Sequence, residues 1–213
     1  MKKALIIMLM ATIGGCATSV PVTSSMNDFV EMSIKPNSTA KVRYNFSSLV
    51  RDGKTKTKDR AGAINSGPGL SVAESLVFSQ MLSGYMETKF ATTSDPAPDA
   101  QISVRLKRFD LYQYSTDSTA KQVLVAFGGG EINQILKAKV VGTVSLVVNG
   151  AKRERRIVAS SEDTFVTGVG TGTSTSYMYR GKDSIEHAHA RNINKANNKF
   201  LMQVNAFLEE NGL

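Results

Sequence analysis

The pair Asn149-Gly150 narrows the fold more than any other feature of this chain. Leu136 to Val148 alternates apolar and polar residues before it, and Ala151 to Ser161 returns after it. An Asn-Gly pair between alternating stretches is the strongest short hairpin signal, because both central residues of a type I′ turn need positive φ. The ribbon must bury one of its faces, so something has to pack against it. A one-residue change in the turn would reverse which of Ile157 and Val158 lies inside.

The remaining pattern supplies candidates for that packing. From Thr39 to Val50 the alternation of Val42, Tyr44 and Phe46 with Lys41 and Arg43 predicts a strand. A polar loop follows from Arg51 to Gly69, carrying Lys54, Lys56, Lys58 and Arg60. Ser71 and Glu74 have the spacing of a capping box, in which each side chain satisfies a free backbone donor of a helix start. Leu76, Phe78, Met81, Leu82, Tyr85, Met86 and Phe90 then recur at helical spacing, until Asp95-Pro96-Ala97-Pro98 ends the helix.

Ala100 to Leu111 reads as a strand with Ile102, Val104 and Leu106 on one face and Arg105 and Lys107 on the other. Gln122 to Phe127 reads as a short apolar strand before Gly128-Gly129-Gly130. The charges on both faces of the hairpin return suggest that its tip projects beyond the core. Residues 167 to 182 are rich in Gly, Ser and Thr and read as a loop. A last helix starts near Asp183, with Glu186 three residues on. Its buried stripe is Ile193, Ala196, Phe200, Val204 and Phe207, and Gly212 lies beyond its end. No internal repeat is visible. The expected fold is α+β, a mainly antiparallel sheet of about five strands with two helices on one face, in the order β-α-β-β-β-β-α.

Composition agrees with one folded unit. The chain has 213 residues, 41% of them hydrophobic and 21% charged, a globular balance. Its single cysteine excludes an internal disulfide framework and a cysteine-based zinc cluster.

That cysteine stands at a telling place. Lys2 and Lys3 precede an apolar run from Ala4 to Ile13, too short to span a bilayer, and Gly14-Gly15-Cys16 follows. This resembles the bacterial lipobox, in which the cysteine is acylated and becomes the first mature residue. The expected organisation is a lipoprotein signal peptide at 1–15, a lipidated tether at 16–38 and one α+β domain at 39–213. Multiple acylation, palmitate included, holds such a protein on a membrane without a spanning helix. Residue 17 is Ala rather than the Asp that, by resemblance to enterobacterial sorting rules, retains lipoproteins in the inner membrane. The expected address is therefore the cell envelope, anchored to the outer membrane and facing the periplasm.

Catalytic patterns fail on inspection. Ser38 to Lys41 and Ser118 to Lys121 match Ser-x-x-Lys, but neither is read as opening a helix and no Lys-Thr-Gly partner exists. His187 and His189 are two apart on a predicted helix, so they point to different sides and cannot share a metal. They are expected on a solvated face. Gly168, Gly170 and Gly172 lack the lysine and the adjoining helix of a phosphate loop. The sequence offers no catalytic, cofactor-binding or metal residues, and a non-enzymatic role is expected.

Basic residues carry the functional hint, within a formal net charge of +8. Arg105, Lys107 and Arg108 share one strand; Lys152, Arg153, Arg155 and Arg156 crowd the hairpin return; Lys137 and Lys139 face out nearby. Such a surface attracts polyanions, although charged residues on strands also simply guard edges. In an envelope compartment the polyanions are lipid phosphates, lipopolysaccharide or acidic proteins, not nucleic acid.

The Cys16 lipobox, a helix ending near Phe90, the stretch Asp99-Ala100-Gln101-Ile102-Ser103-Val104, and the Asn149-Gly150 hairpin before a last helix together resemble the YajG-type lipoproteins. They are also similar to the auxiliary lipoproteins of ABC-type lipid transporters. Ala126-Phe127-Gly128-Gly129-Gly130 is similar to a Phe-Gly-x-Gly turn of another lipoprotein family. The resemblance implies a non-catalytic accessory role. Two functions fit: an interaction protein that helps assemble an envelope complex, or a module binding anionic lipid or polymer on its basic strands.

Overall fold

The computed structural model describes residues 37–65, 70–94, 97–169, 177–178 and 185–213. In chain order its elements are β1 (Asn37–Ser48), β2 (Gly53–Thr55), β3 (Leu70–Val72), α1 (Glu74–Lys89), β4 (Phe90–Thr92), β5 (Ala100–Ser115), α2 (Thr119–Gly128), β6 (Gly130–Val148), β7 (Ala151–Val169), β8 (Tyr177–Met178) and α3 (Ile185–Glu209). The signal and all but the end of the expected tether lie outside the described residues.

The hairpin forms as the sequence demands, and at greater length. Asn149 (φ 51°) and Gly150 (φ 76°) both take positive φ. They close β6 onto β7, and the two 19-residue strands stay in register from Val148 opposite Ala151 to Gly130 opposite Val169. At about 3.3 Å per residue the ribbon is about 60 Å long. The register buries Ile157 and leaves Val158 44% exposed. The Gly-, Ser- and Thr-rich stretch expected as a loop is strand at its start, since β7 continues to Val169, and strand again at β8; residues 170–176 and 179–184 lie outside the described residues.

The sheet is mixed, which corrects the expected antiparallel one. Its order is β4-β1-β5-β6-β7-β8. β5, β6, β7 and β8 alternate in direction, whereas β1 runs parallel to both β4 and β5. The cause is the connection: α1 lies between β1 and β4, and a helical crossover returns the chain in the direction it left. Alternation within a strand carries no information about direction. The loop expected at 51–69 also holds structure, because β2 pairs with β3 as a small separate sheet.

There are three helices, not two. The run Gln122 to Phe127, expected as a strand, belongs to α2. Ser118 caps it, its Oγ accepting from the Lys121 N–H at 3.3 Å, and Gly129 leaves it at φ 75°. A short apolar run fits a helix or a strand equally, and the cap decides. Ser118 thus does open a helix, but Lys121 Nζ pairs with Asp117 at 2.9 Å.

The expected capping box is absent. Ser71 lies in β3, Ala73 is the N-cap of α1 without a side-chain bond, and Glu74 is 1% exposed. Asp52 takes the capping role from a distant loop, accepting from the Ser75 N–H at 2.7 Å. Leu76, expected inside, is 54% exposed; Val77 is buried in its place. Phe90 is the first residue of β4 instead of the last of the helix.

α1 and α3 pack on the same face of the sheet, as expected. Strand alternation directs Val42, Ile102, Val104, Leu106, Val140, Val144, Leu146, Ile157 and Ala159 towards them. At the centre, the Phe78 ring stacks with Phe46 at 5.7 Å and meets Phe200 edge-on at 5.1 Å, tying β1, α1 and α3 together. The predicted stripe of α3 is buried throughout. So are Asn192, Asn194, Asn197, Asn198 and His189. Asn192 Nδ2 donates to the Leu136 carbonyl at 2.6 Å. His187 is exposed and His189 fully buried, which corrects the solvated face expected for the latter.

Candidate docking surface

The face of the sheet turned away from α1 and α3 collects most of the basic residues. Register places Ser47, Arg105, Thr143 and Arg156 in one row across β1, β5, β6 and β7. The next row holds Arg108, Val141 and Val158, and the one after it Asp110, Lys139 and Ser160. Arg105 and Arg156 are two strands apart, roughly 10 Å, on either side of Thr143. Val141 and Thr143 are only 6% and 7% exposed although they lie on this face. Long basic side chains cover such small neighbours with their methylene stems while keeping the charge in water.

A β-bulge sharpens the cluster. The register between β5 and β6 shifts between Leu106 and Arg108, leaving Lys107 as the extra residue. Arg105, Lys107 and Arg108 are all exposed, and a bulge re-aims side chains in this way.

Ion pairing separates the nine cations into groups. Arg108 Nε and Lys58 Nζ both lie 2.5 Å from the carboxylate of Asp110, which is 3% exposed. Lys58 arrives from the loop, whose backbone pairs with β5 at Leu111 and Gln113. Lys137 meets Glu162 at 3.5 Å and Lys152 meets Glu154 at 3.7 Å. Arg105, Lys107, Lys139 and Arg156 have no acidic partner among the described residues.

The hairpin arginines do not form one patch. Lys152 and Arg156 point to the open face, whereas Arg153 and Arg155 point to the helix side and meet the end of α3. Arg155 forks onto Glu210 at 2.5 and 3.3 Å and lies over the Phe207 ring at 5.0 Å. The hydrogen bond from Arg155 holds the Glu210 carboxyl below its ordinary range and raises the guanidinium in return. Arg153 donates to Asn211. The hairpin therefore does not project beyond the core: its closing pair sits beside Ala100, where β5 begins, and α3 reaches back to it.

Other chemistry is thin. A hollow of about 220 Å³ at the hairpin end, lined by Leu146, Val148, Asn149, Ala151, Arg153 and Asn211, falls below the roughly 300 Å³ of small-molecule sites. Among the described residues no group of three or more His, Cys, Asp or Glu is placed to hold a metal, and no helix is long and apolar enough to cross a membrane. Glu74, which the sequence marks only as half of a capping box, is an unusual group in the fold. Burial pushes the Glu74 carboxyl up to about 8, with Asp52 adding to the rise and the Asn197 amide opposing it. That amide is its polar neighbour at a geometry that makes no regular hydrogen bond. Cys16 lies outside the described residues.

No protein-family model matches the chain, and no curated protein matches it. Among solved structures, it is similar to the rare lipoprotein B from Shewanella oneidensis, with 15% identity over 79% of this chain and 97% of that one and a TM-score of 0.40. It is also similar to a DUF330 protein from Xanthomonas campestris, with 10% identity over 92% and 99% and a TM-score of 0.40. An uncharacterized protein aligns at 11% identity over 83% and 94%, again with a TM-score of 0.40. These are loose likenesses of chain path, and function must be read from the residues themselves.

Proposed function

We propose that this chain is a non-catalytic, lipid-anchored accessory protein of the cell envelope. It helps assemble or stabilise an envelope complex by docking an acidic protein partner on the open face of its sheet. Cys16 carries the acyl chains that hold it on the periplasmic side of the outer membrane. The observation that carries this reading is the row of Arg105, Thr143 and Arg156, flanked by Lys107 and Lys139, whose cations lack acidic partners among the described residues. Cations left unpaired around a small buried centre favour a partner that supplies the anions.

Crosslinking in intact cells, detergent extraction and mass spectrometry test it, with Cys16→Ser as the control. One stoichiometric protein partner, lost in the control and in Arg105→Glu/Arg156→Glu, is expected. Recovery of that partner undiminished in the charge-reversed variant would contradict the docking face.

A second reading draws on the same two arginines, since a guanidinium binds phosphate by a planar two-point contact. An anionic lipid or polymer would then replace the protein partner. Its binding would fall steeply with salt, whereas a protein interface with an apolar centre would persist.

A further inference from the structure

The outer edge of β7 is long and, for one stretch, unpaired by any of the described residues. A two-residue turn makes its flanking residues, Val148 and Ala151, a hydrogen-bonded pair, so the odd residues of β7 bond to β6. The even residues Lys152, Glu154, Arg156, Val158 and Ser160 therefore direct their N–H and C=O groups away from β6. α3 takes up two of these carbonyls: Gln203 Nε2 donates to Val158 O and Lys199 Nζ to Ser160 O, both at 3.2 Å. Beyond them, the outward groups of Lys152, Glu154 and Arg156 have no hydrogen-bond partner among the described residues. An edge of this kind is a template for another strand.

We infer that the edge Lys152–Arg156 accepts an extended acidic segment of the docked protein as an added strand. Main-chain bonds supply affinity in this mode and side chains supply the choice of partner. The side chains here alternate between faces, Lys152 and Arg156 to the open face and Arg153 and Arg155 to the helix face. An added strand would thus meet Lys152 and Arg156 on its open-face side, while Arg153 and Arg155 stay engaged with Asn211 and Glu210. A second copy of this chain is the wrong occupant, because pairing two such edges sets like charges opposite one another. The inference rests on the docking reading above and names the form of the partner's contact.

The test uses the full chain in detergent and three short capped peptides. One alternates glutamate with valine, one is the same peptide N-methylated at every residue, and one alternates lysine with valine. The acidic peptide is expected to slow amide exchange at Lys152, Glu154 and Arg156, while the other two leave it unchanged. Glu154→Pro removes an outward N–H without touching the bonds to β6, and should weaken the acidic peptide by about tenfold or more. Should that variant unfold, Lys152→Glu/Arg156→Glu gives the second reading, with preference reversed towards the lysine peptide. Equal binding of the N-methylated peptide would overturn strand addition while leaving charge-driven docking intact. Absence of binding by all three, or a dimer that Glu154→Pro abolishes, would also overturn it.

Discussion

The ring of Phe200 on α3 lies so close over Gly142 of β6 that a Cβ on the glycine would sit 2.8 Å from it. The same Cβ would sit 2.6 Å from the Arg105 carbonyl oxygen across the strand pair. Gly142 stands opposite Leu106, where the bulge begins. The missing side chain therefore lets α3 seat on the sheet and lets the Arg105 carbonyl approach β6 just before the bulge at Lys107.

Gly142→Ala tests that relationship. Overpacking a filled core costs about 1–3 kcal/mol, read as a lower urea midpoint with an unchanged slope. Phe200→Leu in the same chain should recover part of the loss, because it removes one of the two close neighbours. An unchanged midpoint in Gly142→Ala would show that both the ring and the Arg105 carbonyl give way at no cost.

Glu74 makes stability depend on pH in an unusual direction. Its carboxyl titrates at about 8 in the fold against an ordinary 4.5. Between those values the unfolded chain has released its proton and the folded one has kept it. Stability therefore falls as pH rises through that window, by up to about 1.4 kcal/mol per unit, and the loss is complete above it. Glu74→Gln should flatten this slope and be the more stable chain near the upper end. Denaturant midpoints at several pH values measure it, and parallel slopes in both chains would contradict the account.

The two groups of hairpin arginines should separate by phenotype. Arg155→Ala removes the fork onto Glu210 and the cover of Phe207, so the last turn of α3 should exchange its amides faster while partner binding persists. Arg105→Glu/Arg156→Glu should do the reverse, abolishing partner recovery with little change in midpoint. Hydrogen exchange and crosslinking on the same variants decide it.

Asp117 ties α2 to the sheet. Its Oδ2 accepts from the Asn133 N–H at 2.8 Å and its Oδ1 meets Lys121 at 2.9 Å. These contacts hold its carboxyl below the ordinary range, the Asn133 bond first. Asp117→Asn should therefore speed exchange at the Asn133 amide, with no effect at the hairpin end.

Much of this architecture was legible in residue order. The turn at Asn149, the stripe from Phe78 to Met86 and the stripe from Ile193 to Phe207 each follow a period that one structure satisfies. Strand direction was not, since Val42, Tyr44 and Phe46 alternate alike beside a parallel or an antiparallel neighbour. The six apolar-rich residues from Gln122 to Phe127 fit either period; Ser118 before them and Gly129 after them decide for the helix. The basic residues were found, but not their division. Arg155 and Glu210 are 55 positions apart, and nothing local to the hairpin announces that α3 comes back to meet it.

Photocrosslinking from Ser103 tests the central claim most directly. This residue is exposed on the open face, one row from Arg105 and opposite Ser145, and Met202, 56% exposed on α3, serves as the comparison. The account predicts one protein adduct in intact cells from position 103, none from 202, and its loss in Arg105→Glu/Arg156→Glu and in Cys16→Ser. An adduct from 202 alone, or one from 103 that survives the charge reversal, would contradict it.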